Sequence, residues 1–302
     1  MTDEKKAKIG FIGLGLMGAA MVSRLQDLDY PLAVLGRTKR TAIDAAVERG
    51  AVEAKNAREL AATSDVVMLC VDTSKSVESL VYGPDGVMAG AKPGTIVIDF
   101  GTSMPASSKK IGAELEKIGV HFLDAPLGRT PAHAYDGQLN IMAAGKREDF
   151  EKVEPVLQDL GENVFHVGAL GAGHTLKLIN NFFGMTLATA MSEAFALSDQ
   201  AGINRQDLYN IMSAGPLHSA MMDFVKANAV DGDPTKLAFS IGNASKDLGY
   251  YTQMTEDLNS PSFIGGATHK ALSQAVDEGY GDKDVPVMVD FIAATFTNNG
   301  SK

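Results

Sequence analysis

Short apolar runs alternate with stretches of helical spacing along the first half of the chain. Residues 8–12, 32–35, 66–71, 95–100, 121–125 and 140–143 have the continuous, β-branched character of buried strands. Between them, residues 17–28, 39–48, 57–62, 75–81, 107–118 and 148–158 place apolar positions three and four apart, as amphipathic helices do. Regular alternation of the two predicts an α/β fold, a doubly wound parallel sheet with helices on both faces. A last strand, 163–167, ends this region. Gly168, Gly171 and Gly173 then form a loop, and a long helix runs from about 174 to 201. Beyond it the pattern is helical almost throughout, over 205–213, 221–228, 238–255, 264–278 and 286–296. With no linker rich in Ser, Gly or Pro, the reading is two domains, 1–167 and 168–302, that share the long helix.

Composition narrows the possible partners. A formal net charge of −10 sets the chain against nucleic acid and anionic membranes. The longest apolar stretch, 178–197, is interrupted by Asn180, Asn181 and Glu193, which reads as a buried helix and not a membrane span. The first residues are hydrophilic and lack the apolar core of a signal peptide. The single cysteine, Cys70, cannot form an internal disulfide, which fits a cytoplasmic protein. Its apolar strand favours a packed thiol over a nucleophile.

Directly after the first strand comes Gly13-Leu14-Gly15-Leu16-Met17-Gly18, and then a helix. This is the G-x-G-x-x-G of a Rossmann dinucleotide site. The first glycine allows the turn, the second admits the pyrophosphate, and the third permits close helix–strand packing. About 20 residues on, an NAD site usually carries a carboxylate for the ribose hydroxyl. Here the sequence is Gly36-Arg37-Thr38-Lys39-Arg40. Arg37 can stack on adenine or pair a 2′-phosphate, Thr38 can donate a hydroxyl, and Lys39 or Arg40 adds charge. NADP(H) is favoured and NAD(H) remains possible.

A second constellation lies on the long helix. Lys177-Leu178-Ile179-Asn180-Asn181 sets a lysine and an asparagine four residues apart on one face, in apolar surroundings. Desolvation lowers a lysine pKa, as a proton donor near neutral pH requires. Asn181 can hold the reacting oxygen. The six histidines, His121, His133, His166, His174, His218 and His269, show no metal-ligand spacing. His174, one turn before Lys177, reads as a cap or a surface residue, and no nucleophile elbow is present.

The glycine loop with Met17, Asp124-Ala125-Pro126-Leu127-Gly128-Arg129-Thr130, the lysine–asparagine segment, and Lys246-Asp247-Leu248-Gly249 occur in order along the chain. Together they resemble the β-hydroxyacid dehydrogenase family, which includes 3-hydroxyisobutyrate dehydrogenases. The resemblance implies a Rossmann domain, a mostly helical second domain, active sites between the two, and a homodimer or homotetramer. It also implies Lys177 as general acid/base with Asn181 as its partner, and Asn180 beside the substrate. Thr102 would lie at the nicotinamide end of the cofactor, Lys246 on the cofactor side and Asp247 on the substrate side.

Where most members carry a Ser-Gly-Gly-like loop, this chain has Gly128-Arg129-Thr130, similar to the 3-sulfolactaldehyde reductase branch. A guanidinium fork adds charge and two directed donors for a substrate oxyanion. Pro131 and Gly184 stand where that branch tends to have serines, and a carboxylate such as succinic semialdehyde competes with a sulfonate. The expected function is interconversion of a small anionic aldehyde and its hydroxyacid. The alternatives are an imine reductase of similar architecture, which Lys177 disfavours, and a catalytically silent NADP-binding scaffold.

Overall fold

The computed structural model describes residues 6–36 and 40–300. They fall into two compact units, Met1–Lys177 and Leu178–Lys302. The first unit opens with β1 (Ile9–Ile12), α1 (Leu16–Asp27), β2 (Leu32–Leu35), α2 (Arg40–Glu48), β3 (Val52–Glu53) and α3 (Ala57–Thr63). It continues with β4 (Val66–Leu69), α4 (Ser74–Tyr82), α5 (Val87–Gly90), β5 (Ile96–Asp99), α6 (Pro105–Glu116) and β6 (His121–Asp124). These six strands form one parallel sheet in the order β3-β2-β1-β4-β5-β6. Every residue of β1, β4 and β5 is buried, as parallel strands covered on both faces must be. Strand order reverses at the β1–β4 pair, and the carboxyl ends of those strands form the crevice in which such sheets bind ligands.

Helix starts in this unit follow their local chemistry. The Asn56 side chain accepts the Glu59 N–H ahead of α3, Thr73 does the same for Ser76 ahead of α4, and Pro105 opens α6.

The next segment departs from the expected single sheet. β7 (Leu127–Gly128), α7 (Pro131–Tyr135), β8 (Leu139–Ala143), α8 (Arg147–Leu160) and β9 (Gly161–His166) build a separate three-stranded sheet. In it β7 runs antiparallel and β9 parallel to β8. The cause is legible in burial: β8 alternates, with Leu139, Ile141 and Ala143 turned inward, so only one of its faces is covered. β7 has two residues, too few for any periodicity to reveal.

α9 (Ala172–Gln200) carries the chain across the boundary between Lys177 and Leu178. The second unit adds α10 (Arg205–Ser213), α11 (Ala220–Ala229), α12 (Ile241–Asp257), α13 (Gly265–Ala275) and α14 (Met288–Gly300). Its core gathers Phe195, Ile241, Leu248, Leu272, Val285 and Met288, and Phe182 stacks on Tyr251 at 4.2 Å. The spacing predicts one helix over 264–278, but α13 ends at Ala275 in a wider turn, Val276–Tyr280. Gly279 has a φ of +89° there, which no helix interior accommodates. Among the described residues, no helix is long and apolar enough to cross a membrane.

Candidate active site

Between β1 and α1 the chain turns at Gly13, whose φ is +100°. A Cβ there would stand 2.3 Å from the Cys70 carbonyl oxygen, and one on Gly18 would stand 1.9 Å from the Gly13 carbonyl oxygen. Neither position has room for a side chain. Gly15 is the opposite case, since a Cβ there would meet nothing within 4 Å. It caps α1 with no side-chain hydrogen bond and no acidic residue in the first turn. The first N–H groups and the positive end of the helix are thus left to an anion. This open cradle fits a dinucleotide pyrophosphate. Met17 is half-buried against the core, and Leu14 points its side chain into it, so Leu14 can meet a ligand only through its main chain.

Arg37, Thr38 and Lys39, expected beside the adenosine ribose, lie outside the described residues. Arg40 is already engaged within the protein. Its guanidinium donates to both carboxylate oxygens of Glu53, at 2.7 and 2.9 Å, and to Asp44 at 2.9 Å. Two carboxylates already hold that cation, and spacing could not show it because Glu53 arrives on β3.

Buried carboxylates terminate two neighbouring strands. Asp99 ends β5 and accepts the Gly101 N–H and the Ser103 hydroxyl, each at 2.8 Å. These bonds fix the loop that presents half-buried Thr102. Burial, with the Asp99 charge behind it, pushes the Cys70 thiol up to about 12. Asp124 ends β6 and accepts the N–H groups of Gly171 and His174, both at 2.7 Å, which caps the start of α9. Burial raises the Asp124 carboxyl above its ordinary range, against the pull of His174 and the two N–H donors.

His174 is neither a cap nor a surface residue. Its ring is fully buried, with Nδ1 2.7 Å from Ser108 Oγ on α6. Gly173 makes this possible, because a Cβ there would stand 2.3 Å from the Met142 carbonyl oxygen. The helix start can therefore press against the strand ends. Lys177 follows one turn later and is half-buried.

On the hairpin, Arg129 follows Gly128 with a φ of +75°, a left-handed conformation that side chains rarely adopt. Its Nη1 donates to the Gln138 carbonyl at 2.7 Å and pairs with the Glu162 carboxylate. Among the described residues, the bonds fall on that one nitrogen and leave the edge between Nε and Nη2 without one. Thr130 Oγ1 lies 2.8 Å from His133 Nδ1.

In the second unit, buried Asn181 donates from Nδ2 to Asp247 Oδ2 at 2.7 Å and accepts from Asn180 Nδ2 at 3.2 Å. Asp247, on α12, is 1% exposed. Its second oxygen lies 3.0 Å from Lys246 Nζ, at ion-pair distance without hydrogen-bond alignment. Lys246 also faces the Tyr250 ring, 5.4 Å from its centroid. The structure therefore brings Asn180, Asn181, Lys246 and Asp247 together within this unit.

Known proteins align with the chain over both units. A family model for the NAD binding domain of 6-phosphogluconate dehydrogenase matches residues 8–168. A second, for NAD-binding of NADP-dependent 3-hydroxyisobutyrate dehydrogenase, matches 171–292. The chain belongs to the β-hydroxyacid dehydrogenase family. Within it, the 3-sulfolactaldehyde reductase of Escherichia coli (strain K12) is 30% identical over 278 residues, 92% of this chain and 93% of that one. The NAD-dependent L-serine dehydrogenase of Pseudomonas aeruginosa is 32% identical over 287 residues, 93% and 96% of the two chains. Among solved structures, the 3-hydroxyisobutyrate dehydrogenase of Mycobacterium tuberculosis with L-serine superposes with a TM-score of 0.84. It is 25% identical, and the match covers 95% of this chain and 99% of that one. As a β-hydroxyacid dehydrogenase, the protein is an NAD(P)-dependent oxidoreductase acting on CH–OH groups.

Sequence reasoning missed the cluster of Asp99, Ser108, Asp124 and His174. One signal was available: Ile96-Val97-Ile98-Asp99 and Phe122-Leu123-Asp124 are apolar runs that each meet an aspartate, and an acid at the end of a buried run needs partners.

Proposed function

We propose that this β-hydroxyacid dehydrogenase interconverts a small anionic aldehyde and its hydroxyacid, with Lys177 passing the proton. The observation that carries the reading is on α9. Lys177 and Asn181 stand one turn apart on one continuous helix, and a buried carboxylate fixes the Asn181 amide. One amide hydrogen of Asn181 goes to Asp247, and the other is left to hold a substrate oxygen. The dinucleotide, when bound, supplies the hydride in reduction and takes it in oxidation. As the carbonyl carbon is reduced, its oxygen gathers negative charge, which the Lys177 ammonium meets and then protonates. In oxidation the neutral Lys177 amine accepts the hydroxyl proton.

Arg129 holds the acidic end of the substrate. With Nη1 anchored by Glu162 and Gln138, the Nε/Nη2 edge takes an oxyanion through two parallel bonds. Gly128 and Thr130 line the same turn. A sulfonate and a carboxylate both suit such a fork, in keeping with the substrates named for the E. coli and P. aeruginosa relatives. Arg37, Thr38 and Lys39, with no carboxylate among them, support NADP(H) over NAD(H). Thr102 and Lys246 serve the nicotinamide end. Ile179, Phe183, Leu187 and Leu197 are exposed on α9, which supports a homodimer or homotetramer, to be read by light scattering.

The test is NADPH and NADH oxidation by the purified protein with 3-sulfolactaldehyde, succinic semialdehyde, tartronate semialdehyde and a neutral aldehyde, and L-serine in the oxidative direction. Faster turnover of an anionic substrate with NADPH is the expected result. Tight dinucleotide binding without turnover of any of them would leave imine reduction or a silent scaffold.

A further inference from the structure

Three elements of the first unit converge on one imidazole that the proton transfer above does not use. The His174 ring is fully buried, with Nδ1 bonded to Ser108 Oγ on α6 at 2.7 Å and 3.8 Å from Asp124 Oδ2. Its Nε2 faces Asp99 Oδ2 at 3.7 Å, too long for a hydrogen bond, and has no hydrogen-bond partner among the described residues. Packing alone does not account for this choice. A leucine would fill similar space without burying two polar nitrogens between carboxylates.

The two carboxylates are themselves connectors. Asp99 holds the Gly101 N–H and the Ser103 hydroxyl, the two sides of the Thr102 loop. Asp124 holds the Gly171 and His174 N–H groups, the first turn of α9. His174 belongs to that turn through its main chain and reaches toward Asp99 through its ring. We propose that His174 is a positioning residue that ties the Thr102 loop to the start of α9, so that the loop and the turn leading to Lys177 are ordered as one body. Ser108 holds the ring upright by bracing Nδ1, and this directs Nε2 at Asp99. Without the ring, β5 and β6 would still be joined through the main chain, with the Ala125 N–H on the Asp99 carbonyl, but no side chain would join the two segments that Asp99 and Asp124 hold.

The consequence for catalysis rests on the reading of Lys177 given above; the structural link does not. The experiment compares full-length wild type with His174→Leu and His174→Gln, and with Ser108→Ala as the milder change should the leucine variant fail to fold. Hydrogen exchange is followed in peptides covering 99–106 and 171–179. In His174→Leu both segments should lose protection together, by about tenfold or more, while the 13–20 peptide is unchanged. His174→Gln, whose amide can still reach Ser108, should recover most of the loss, and Ser108→Ala should show a smaller loss in both segments. On the best aldehyde, kcat should fall roughly 10- to 100-fold in the leucine variant with KM within about threefold.

Loosening of only one segment, or equal behaviour of the leucine and glutamine variants, would overturn the link. Joint loosening with an unchanged kcat would overturn the positioning role. If wild type turns over no aldehyde, the proposed function fails, and the exchange data still decide the link.

Discussion

The phosphate loop offers a ligand little but main chain, whereas helix α9 offers side chains. In the loop, the working features are a positive φ at Gly13, a closed approach at Gly18 and an open face at Gly15. On α9 the residues of interest present side chains, and those of His174 and Asn181, with the first main-chain N–H groups, are held by other elements. Asp124 comes from β6, Ser108 from α6 and Asp247 from α12. A main-chain site is built from residues adjacent in sequence. A side-chain site on a helix is only as good as the distant partners that aim it, so it has more places to fail and more places to be tuned.

That contrast can be broken most sharply at Lys177. Lys177→Ala should lower kcat by roughly 10²- to 10⁴-fold, the usual span for a lost general acid/base, with NADPH affinity left near wild type. Stopped-flow turnover and nicotinamide fluorescence titration separate the two readings, and an unchanged kcat would remove the lysine from the chemistry.

The loop should respond in the inverse way. In Gly15→Ala the new methyl meets nothing within 4 Å, so stability should stay within roughly 0.5 kcal/mol of wild type, as for neutral surface changes. If the open face at Gly15 is the pyrophosphate seat, the methyl enters it, and dinucleotide affinity should weaken by about tenfold or more, some 1.4 kcal/mol. Calorimetric titration beside a thermal melt reads both, and tight binding by this variant would show that the open face is not the phosphate seat.

A smaller effect is expected where one side chain aims another. Asp247→Ala leaves a buried Asn181 amide hydrogen without its acceptor, at a cost of about 1–3 kcal/mol of stability. The KM for an anionic aldehyde should rise before kcat falls, and steady-state kinetics with a neutral aldehyde provides the control.

The slightest effect is the pH dependence of the α9 cap. Because burial raises the folded-state pKa of Asp124 above the unfolded value, the folded protein binds the proton more readily. Its stability contribution is therefore complete below the ordinary aspartate range and is lost as pH rises through the raised value. Melting curves of wild type and Asp124→Asn from pH 3.5 upward should diverge in that sense, and parallel curves would mean that the carboxyl titrates normally.

The same contrast explains what could be read from the chain. The tight turn at Gly13, the close approach at Gly18 and the open position at Gly15 were legible because the spacing itself sets them, and the buried strands announced a parallel sheet. Lys177 and Asn181 were legible as a pair on one helix. The partners of His174 were hidden, because Ser108, Asp99 and Asp124 lie tens of residues upstream and meet it only after the sheet has formed. The carboxylate partners of Arg40 and Arg129 were hidden for the same reason, since Glu53 and Glu162 are each brought alongside by a strand. The two-residue β7 is too short for any pattern, and with it the second sheet stayed out of view.

The Cys70 thiol, held near 12, has a practical consequence of another kind. At neutral pH this disfavours the thiolate, so maleimide dyes and mild oxidants should react slowly with this half-buried thiol. The native chain is then a blank background for site-directed labelling. A single cysteine placed on an exposed position such as Val52 would take the whole of a fluorophore, and ligand-driven changes in its emission could be followed without first removing the natural thiol.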